Sequence, residues 1–330
     1  MNRIVILPLA VLLDLLFGDP PNAFHPVAWF GEIAQAMERR ALRDNPRAEL
    51  LYGAGMTAGG IALAALPVLA LERLLRRFGR GNPVWLPARV IATAALLKTT
   101  FAWRGLIRAG GSVQRDLETR ATDNARDDLR ALVSRDTREL DVSQLSAAAI
   151  ESLAENASDS FVAPLLYYYL FGLPGAFAYR AVNTLDSMIG YHGRYEFLGK
   201  VAARMDDALN FVPARLTALL LVLAARLTQN DARRAWRTMR CDHTRTESPN
   251  AGYPMSVMAG ALDVRLEKVN HYRLNENGRA PQSGDIQRAS RVVSVALSLA
   301  VVISVIVSTL DQIIDRKSKT RNAHSTTSRN

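Results

Sequence analysis

The chain contains 330 residues, of which 49% are hydrophobic and 22% are charged, and its formal net charge is +10. That charge would suit nucleic-acid binding, but the sequence has neither zinc-ligand spacing nor a basic stripe interleaved with aromatic residues. The arginines gather beside long apolar runs instead, which is typical of membrane proteins. The single cysteine, Cys241, excludes an intrachain disulfide. The composition therefore favours a membrane protein with no nucleic-acid partner.

The N-terminal segment MNRIVILPLAVLLDLLFGDPP combines a basic start with a short apolar stretch, as a secretory signal peptide would. Asp14 interrupts the stretch and no small-residue cleavage site follows, so we predict a retained first membrane segment. The next segment predicts an amphipathic helix that starts at Pro26, with His25 as its cap and Trp29 as an interfacial anchor.

Four later runs approach the roughly 20 apolar residues that a helix needs to cross a bilayer, and they cover 50–71, 161–179, 211–225 and 292–310. The middle two carry proline and glycine or are short, which leaves re-entrant or protein-buried helices as alternatives. A weaker run, 84–101, fits either a short span or an interfacial helix. We expect about four to six hydrophobic helices in total.

The 50–71 run has two further features. Four glycines, at 53, 55, 59 and 60, predict close approach of a neighbouring helix. Arginines precede and follow the run, so the positive-inside rule leaves the orientation open.

Polar segments with helical patterning separate the apolar runs, at roughly 104–160, 180–210 and 227–290. Asp141 and Gln144 have the spacing of a capping box, and we find no alternating segment rich in Val, Ile and Thr between hairpin turns. We therefore predict an all-α, polytopic integral membrane protein. It would have one membrane-embedded domain over 1–315 and a disordered basic tail over 316–330.

The segment AAAIESLAENASDSFVAPL places Glu151, Glu155 and Asp159 four residues apart, directly before an apolar run. On one helix these acids share a face, where like charges repel by roughly 0.2–0.5 kcal/mol per pair. A solvated helical face is one interpretation. The alternative is a cation site, because Mg²⁺ takes oxygen ligands and commonly binds one or two carboxylates plus substrate phosphate. We predict Glu155 and Asp159 as Mg²⁺ ligands.

A second polar cluster lies in residues 179–213. Asn183 and Asp186 are one helical turn apart, as are Asp207 and Asn210, and the basic residues around them are Arg180, Arg194, Lys200 and Arg204. Intrahelical ion pairs would explain the pattern. Mixed cations, amides and carboxylates also suit an anionic substrate that carries phosphate and carboxylate groups. His192 is predicted to be a surface residue.

The segment SPNAGYP predicts a rigid turn, because Pro249 and Pro254 restrict the backbone and Gly252 allows angles that other residues avoid. Pro254 fits the first position of a new helix, whose free N–H groups would bind an anion. An ordinary connecting turn is the alternative. The sequence has neither the G-x-x-x-x-G-K-[ST] motif nor a Rossmann glycine motif, so an ATP site would be of another kind.

Six blocks carry a family resemblance, and in chain order they are GDPPNAFHPV, RDTRELD, ESLAENASDSFVAPL, AVNTLDSMIGY, ARMDDALNFVPARLTALL and SPNAGYPMSVMAGAL. In that order they resemble the adenosylcobinamide-phosphate synthases of cobalamin biosynthesis, of the CbiB/CobD type. The resemblance implies a multi-pass enzyme of the cell membrane. It implies ATP-dependent amide ligation of (R)-1-aminopropan-2-ol phosphate, or aminopropanol, to the propionate carboxylate of adenosylcobyric acid, which gives adenosylcobinamide phosphate.

The resemblance also implies Mg²⁺, ATP as co-substrate, corrinoid and aminopropanol phosphate substrates, and contact with other cobalamin-pathway enzymes. The residues that we expect to serve this chemistry as catalytic groups are Glu151, Glu155, Asp159 and Asp186. Those that we expect to bind substrate are Arg135, Asn183, Arg194, Asp207, Asn250 and Gly252. Met255 stands where the family frequently has an acid, which argues against an essential carboxylate at that position.

Two other functions are alternatives to the synthase. The related β-lactamase-induction membrane proteins are non-catalytic sensors or accessory proteins, which would have no reason to keep AENASDS, VNTLDS and SPNAGYP together. A transporter would place charges at the centres of long spans, and Asp14 is the clearest such acid.

Overall fold

A computed structural model of the chain describes residues 3–41, 45–78, 85–133 and 135–327. These residues form twelve α-helices, a 3₁₀ turn at Asn22–Phe24, a π-helical turn at Ser158–Val162 and one β-hairpin. The helices are α1 (Arg3–Phe17), α2 (Pro26–Arg39), α3 (Pro46–Phe78), α4 (Trp85–Lys98), α5 (Trp103–Glu118), α6 (Thr122–Leu129), α7 (Val142–Ala157), α8 (Ala163–Ile189), α9 (Lys200–Leu227), α10 (Ala232–Asp242), α11 (Gly252–Leu262) and α12 (Ser283–Thr327).

The predicted all-α, multi-pass class is confirmed. Among the described residues, five helical stretches are long and apolar enough to cross a membrane, namely Pro46–Arg77, Trp85–Glu118, Val142–Ile189, Lys200–Leu227 and Ser283–Ile314. They contain all four later runs predicted from the sequence, and the weaker run 84–101 overlaps the second stretch. Exposed leucines recur along α9 at three- and four-residue intervals, as a lipid-facing stripe requires, at Leu216, Leu219, Leu223 and Leu227.

Helix α1 is shorter than a membrane span. Its 15 residues extend about 22 Å, against roughly 30 Å of hydrocarbon. Asp14 is fully buried, where its carboxylate lies 3.5 Å from the Lys98 ammonium and accepts the Arg104 backbone N–H at 2.8 Å. These contacts join α1 to α4 and α5. They give Asp14 a structural partner, so the transporter alternative loses its clearest residue.

The predicted start of α2 is confirmed. Pro26 is its first residue, and the Val27 N–H donates to His25 Nδ1 at 3.2 Å, which makes His25 the cap. Phe30 faces the interior and Trp29 is exposed, as an amphipathic helix requires.

The glycines of α3 divide into two pairs. A Cβ at Gly53 would lie 2.0 Å from the Leu198 carbonyl oxygen, and one at Gly60 would lie 3.1 Å from the Phe30 ring. Gly55 and Gly59 have no atom within 4 Å of that position. The predicted close approach of a helix therefore holds for Gly60, which meets α2 and α8. At Gly53 the close neighbour is the turn before α9, and for the other two glycines the prediction is wrong.

Helix α8 reverses direction at Gly172, whose φ of 74° and ψ of −164° are not helical. A continuous helix would separate Tyr167 from Tyr179 by about 18 Å, yet their rings stack with centroids 5.1 Å apart. The run 161–179 is therefore a helical hairpin, the shape that the re-entrant alternative requires. Leu170 and Phe171 are exposed at its tip.

One β-hairpin was not expected. Strands β1 (Leu266–Lys268) and β2 (Tyr272–Leu274) pair antiparallel, with Leu266 opposite Leu274 and Asn270 at a φ of 62° in the turn. Three residues per strand are too few to show an alternating pattern in the sequence.

Helix α12 closes the described chain. It continues as helix backbone to Thr327, through much of the segment 316–330 that composition predicts to be disordered. Residues 328–330 of that segment lie outside the described residues. The division into one domain over 1–315 and a tail stays a prediction.

Candidate functional site

A cavity of about 620 Å³ opens between the end of α7, the π-helical turn, the C-terminal end of α8, the first half of α9 and the turn before α11. Seven carboxylates line it, from Glu155, Asp159, Asp186, Glu196, Asp206, Asp207 and Glu247. Its basic side chains are Lys200 and Arg204, with His192 beside them. The lining is therefore strongly acidic, and a bound cation would relieve the repulsion among these groups.

Asp206 lies at the centre of this acidic lining and is 8% exposed. Its carboxylate accepts the side-chain amides of Asn183 at 3.2 Å and Asn210 at 2.9 Å. Tyr179, which is buried, donates its hydroxyl to Asn210 Oδ1 at 2.8 Å. This chain of hydrogen bonds fixes the orientation of the Asp206 carboxylate. Among the residues that the structure describes, no basic side chain forms an ion pair with it.

Glu155 and Asp159 line the cavity together, although not on one regular helix. Helix α7 ends at Ala157, and Asp159 belongs to the π-helical turn that follows. The Asp159 carbonyl oxygen lies 3.2 Å from the same Tyr179 hydroxyl, and this contact joins the turn to α8. π-helical turns are rare and concentrate at functional sites.

Glu151 and Arg135 do not line the cavity. They form an ion pair in which Glu151 is buried and Arg135 partly buried, with an Arg135 Nη2 to Glu151 Oε2 distance of 2.8 Å. One side-chain nitrogen of Arg135 and one oxygen of Glu151 have no hydrogen-bond partner. The contact connects the segment before α7 to α7 itself, so the geometry gives both residues a structural role. Their predicted roles in catalysis and substrate binding gain no support from it.

Three other predicted residues have mixed outcomes. Asn250 is buried at the cavity wall, where its amide donates to the Asp207 carbonyl at 2.8 Å. Asn183 does not line the cavity, but its side-chain amide donates to Asp206, which does. Arg194 lies outside, 3.6 Å from Glu38 and over the Tyr195 ring. The cavity thus brings together Asp186, Asp207 and Asn250 with Glu155 and Asp159, but not Arg194.

The turn before α11 has fewer free N–H groups than the predicted anion site assumes, and the anion site itself stays a prediction. The N–H groups of Asn250 and Ala251 both donate to the Ser248 hydroxyl at 3.2 Å. The Tyr253 N–H donates to the Asn250 carbonyl, and Pro254 has no N–H. The helix starts at Gly252, so Pro254 is its third residue rather than its first.

Gly252 is required for close packing rather than for unusual backbone angles. Its φ is not among the positive values of the described residues, and a Cβ would lie 2.1 Å from the His243 carbonyl oxygen. The residue lies behind the wall that Asn250 and Ala251 form. Its predicted contact with substrate stays a prediction.

The donor set fits Mg²⁺, since the acidic lining offers oxygen ligands and no sulfur. In the described part of the chain no three acidic, histidine or cysteine side chains converge closely enough to hold a metal ion by themselves. Mg²⁺ does not need three, because it commonly binds one or two carboxylates and completes its shell with water and phosphate. Glu155 and Asp159 as its ligands stay a prediction.

Two histidines flank the cavity mouth. His192 is exposed and lies 2.7 Å from Glu196, and His271 lies 2.9 Å from Glu247. These hydrogen bonds lower the pKa of both carboxyls below their ordinary values. Because both carboxyls stay ionised, the cavity mouth keeps their negative charge at neutral pH. The exposure of His192 confirms that it is a surface residue, as predicted.

Sequence reasoning missed Asp206 as a site residue. It selected the adjacent Asp207, whose side chain is half-buried at the cavity wall. The signal was present, because Asp206 and Asn210 are four residues apart, the spacing that brings two side chains onto one helical face. The sequence analysis pairs Asp207 with Asn210 instead, at a spacing of three residues.

A family model described as CobD/Cbib protein matches residues 7–302. This chain belongs to that family. It is 46% identical over 279 residues to the cobalamin biosynthesis protein CobD of Dehalococcoides mccartyi, covering 84% of this chain and 89% of that protein. It is 42% identical over 289 residues to a probable CobD of Pyrococcus furiosus, with coverage of 87% and 92%. No solved structure matches the chain.

A further CobD, from Klebsiella pneumoniae, is 39% identical over 311 residues, covering 88% of this chain and 93% of that protein. The residues that line the cavity, from Glu155 to Pro254, all lie within the part of the chain that the CobD/Cbib model matches. The acidic cavity is thus part of the family region.

Proposed function

We propose that this chain acts in cobalamin biosynthesis as a membrane-bound ligase. It would join (R)-1-aminopropan-2-ol phosphate to the propionate carboxylate of adenosylcobyric acid, with ATP as co-substrate. Membership of the CobD/Cbib family supports the pathway. The observation that supports a ligase is the cavity of about 620 Å³ whose lining carries seven carboxylates within the family region, since amine and Mg·ATP substrates both need such groups.

The proposed reaction has two steps. A propionate oxygen first attacks the γ-phosphorus of ATP, which forms an acyl phosphate and releases ADP. The amine nitrogen then attacks the acyl carbon, the amide C–N bond forms and inorganic phosphate leaves with the carboxylate oxygen. The proton that the amine loses passes to a carboxylate of the cavity, and Asp186 on the α8 wall is our candidate for that base.

The charge distribution of the cavity matches substrates of both signs. Asp206 and the acids beside it would hold the ammonium form of the amine before it loses its proton. Lys200 and Arg204 are one turn apart on α9 and would pair with phosphate oxygens. Mg²⁺, when bound, would neutralise the ATP phosphates, and Glu155 and Asp159 are the residues that we expect to hold it.

A ligation assay tests the proposal. The purified full chain is incubated with adenosylcobyric acid, aminopropanol phosphate and Mg·ATP, and the coloured corrinoids are separated by chromatography. We expect a product whose mass equals the two substrates minus water, formed only when ATP and Mg²⁺ are present. Folded protein that forms no product under these conditions would contradict the ligase and return the chain to the sensor alternative.

A further inference from the structure

Helix α10 presents a basic face that the cavity does not use. One side of the helix is buried and carries Ala235, Thr238, Met239 and Asp242. This side packs against α11. The other side is exposed and carries Arg233, Trp236, Arg237, Arg240 and Cys241. These residues recur at three- and four-residue intervals, so they form one continuous surface.

Three arginines on this surface differ from the neighbouring Arg234, which forms ion pairs. The guanidinium of Arg234 lies 3.5 Å from Asp231 and also pairs with Asp263. By contrast, Arg233, Arg237 and Arg240 form no ion pair with any residue that the structure describes. Their positive charges repel one another, and no described acidic side chain offsets this by direct contact.

The position of α10 points to the membrane surface. Only four residues connect it to α9, which is one of the apolar stretches long enough to cross a bilayer. The exposed leucine stripe of α9 ends at Leu227, and the basic face starts at Arg233. Exposed tryptophan and arginine at the end of a membrane helix are typical of residues that contact lipid headgroups.

We propose that the face formed by Arg233, Trp236, Arg237 and Arg240 binds the phosphates of anionic phospholipid headgroups. Guanidinium groups pair with phosphate through two parallel hydrogen bonds, and the indole ring suits the headgroup region. The side chains border a shallow hollow to which α10 alone contributes the lining. An acidic soluble protein has complementary charge too, but the adjacent membrane helix favours lipid. Lipid bound to α10 would also restrain α11, which packs against α10. The first turn of α11 contributes to the cavity wall.

The single cysteine allows a direct measurement, because Cys241 is exposed on the same helix. A donor fluorophore is attached there, and the full chain is reconstituted in phosphatidylcholine vesicles with 30% phosphatidylglycerol. Energy transfer is compared for two acceptors, phosphatidylglycerol and phosphatidylcholine, each labelled in the acyl chain at the same mole fraction. We expect the anionic acceptor to be enriched near the label by about fivefold, since one basic residue near a headgroup contributes roughly that factor.

The variant Arg233→Gln/Arg237→Gln/Arg240→Gln should bring the ratio of the two acceptors close to one, and high salt should do the same to the native chain. The matched control removes three exposed arginines from other surfaces, as Arg130→Gln/Arg138→Gln/Arg273→Gln, and should keep the preference. Equal transfer from both acceptors in the native chain would overturn the proposal. So would a preference that survives in the first variant. Absence of transfer from either acceptor would overturn it as well, and would place the face in water.

Discussion

Asp206 and Asp207 are neighbours in the sequence but lie in different surroundings. Asp206 is buried and accepts two amide hydrogen bonds, whereas the Asp207 side chain is half-buried at the wall. We predict that Asp206→Asn lowers kcat of the ligation by about 10²-fold or more, because a fixed carboxylate is lost from the site where we propose that the amine and the cation bind.

The matched control for this prediction is Asp207→Asn, which should lower kcat by less than about tenfold. Steady-state kinetics of the two purified variants measure the difference. A larger effect at 207 than at 206 would show that the half-buried carboxylate, and not the buried one, serves the reaction.

Glu155 and Glu151 offer a second comparison, since they are one helical turn apart and only Glu155 lines the cavity. We predict that Glu155→Gln, like Asp159→Asn, raises the Mg²⁺ concentration needed for half-maximal activity by about tenfold or more, because a ligand oxygen is lost.

For Glu151→Gln we expect an unchanged Mg²⁺ requirement but a stability loss of roughly 1–3 kcal/mol, since the partly buried Arg135 would lose its charged partner. Mg²⁺ titrations and thermal unfolding in detergent measure both effects. Normal activity of both cavity variants at limiting Mg²⁺ would return these acids to a structural role.

Asp19 carries a testable pH dependence. Burial acts to raise the pKa of its carboxyl, but the hydrogen bonds and charges of His25 and Lys98 outweigh burial and lower the pKa below the ordinary value of 3.8. The unfolded chain therefore binds this proton at higher pH than the folded chain. The stabilisation is complete above the unfolded pKa and is lost as pH falls through the folded one.

We predict that Asp19→Asn lowers the unfolding temperature at pH 7, and that the difference from the native chain shrinks below about pH 4. Thermal unfolding in detergent between pH 7 and pH 3 measures it, with the exposed Asp123→Asn as control. A difference that grows as the pH falls would have the wrong sign for a carboxyl with a lowered pKa.

At the scale of elements, the reversal of α8 depends on one residue. The backbone angles of Gly172 are nearly restricted to glycine, so we predict that Gly172→Ala costs about 1–3 kcal/mol of stability. Gly59→Ala on α3 is the control, because open space surrounds that position and alanine favours helix by up to about 1 kcal/mol. Thermal unfolding compares the two, and equal stability of both variants would contradict the strained reversal.

Local patterns predicted the elements that depend on short-range chemistry. The capping box is present, with the Gln144 N–H donating to Asp141 at 2.8 Å and the Gln144 side chain accepting the Asp141 N–H at 2.9 Å. The start of α2 at Pro26 and the apolar runs were predicted for the same reason, because caps and hydrophobic length depend only on residues that are close in sequence.

Features that depend on distant contacts were either missed or left open among alternatives. The reversal at Gly172 is stabilised by stacking of Tyr167 on Tyr179, which no local pattern reports. Gly252 is restricted by the His243 carbonyl from the preceding element. The choice between Asp206 and Asp207 depended on which face of α9 meets α8. In each case tertiary packing, which the sequence order does not display, decided the outcome.

At the scale of the whole molecule, the fold combines apolar helices with an acid-lined cavity. The cavity is built where α7, α8 and α9 meet, and all three helices belong to stretches long and apolar enough to cross a membrane. Two of the three carboxylates that the sequence places directly before an apolar run, Glu155 and Asp159, thus line the cavity together with residues of α8 and α9. In the proposed function, this arrangement would keep polar substrate groups beside helices that are apolar enough to cross a membrane.

The central claim is that the acidic cavity supports ATP-driven amide ligation through an activated carboxylate. The most direct measurement uses adenosylcobyric acid with ¹⁸O in both oxygens of its free propionate, together with aminopropanol phosphate, Mg·ATP and the purified chain. The account predicts one ¹⁸O in the inorganic phosphate released and one retained in the amide for each corrinoid product. Amide formed with no label in phosphate, or no amide formed by folded protein, would contradict it.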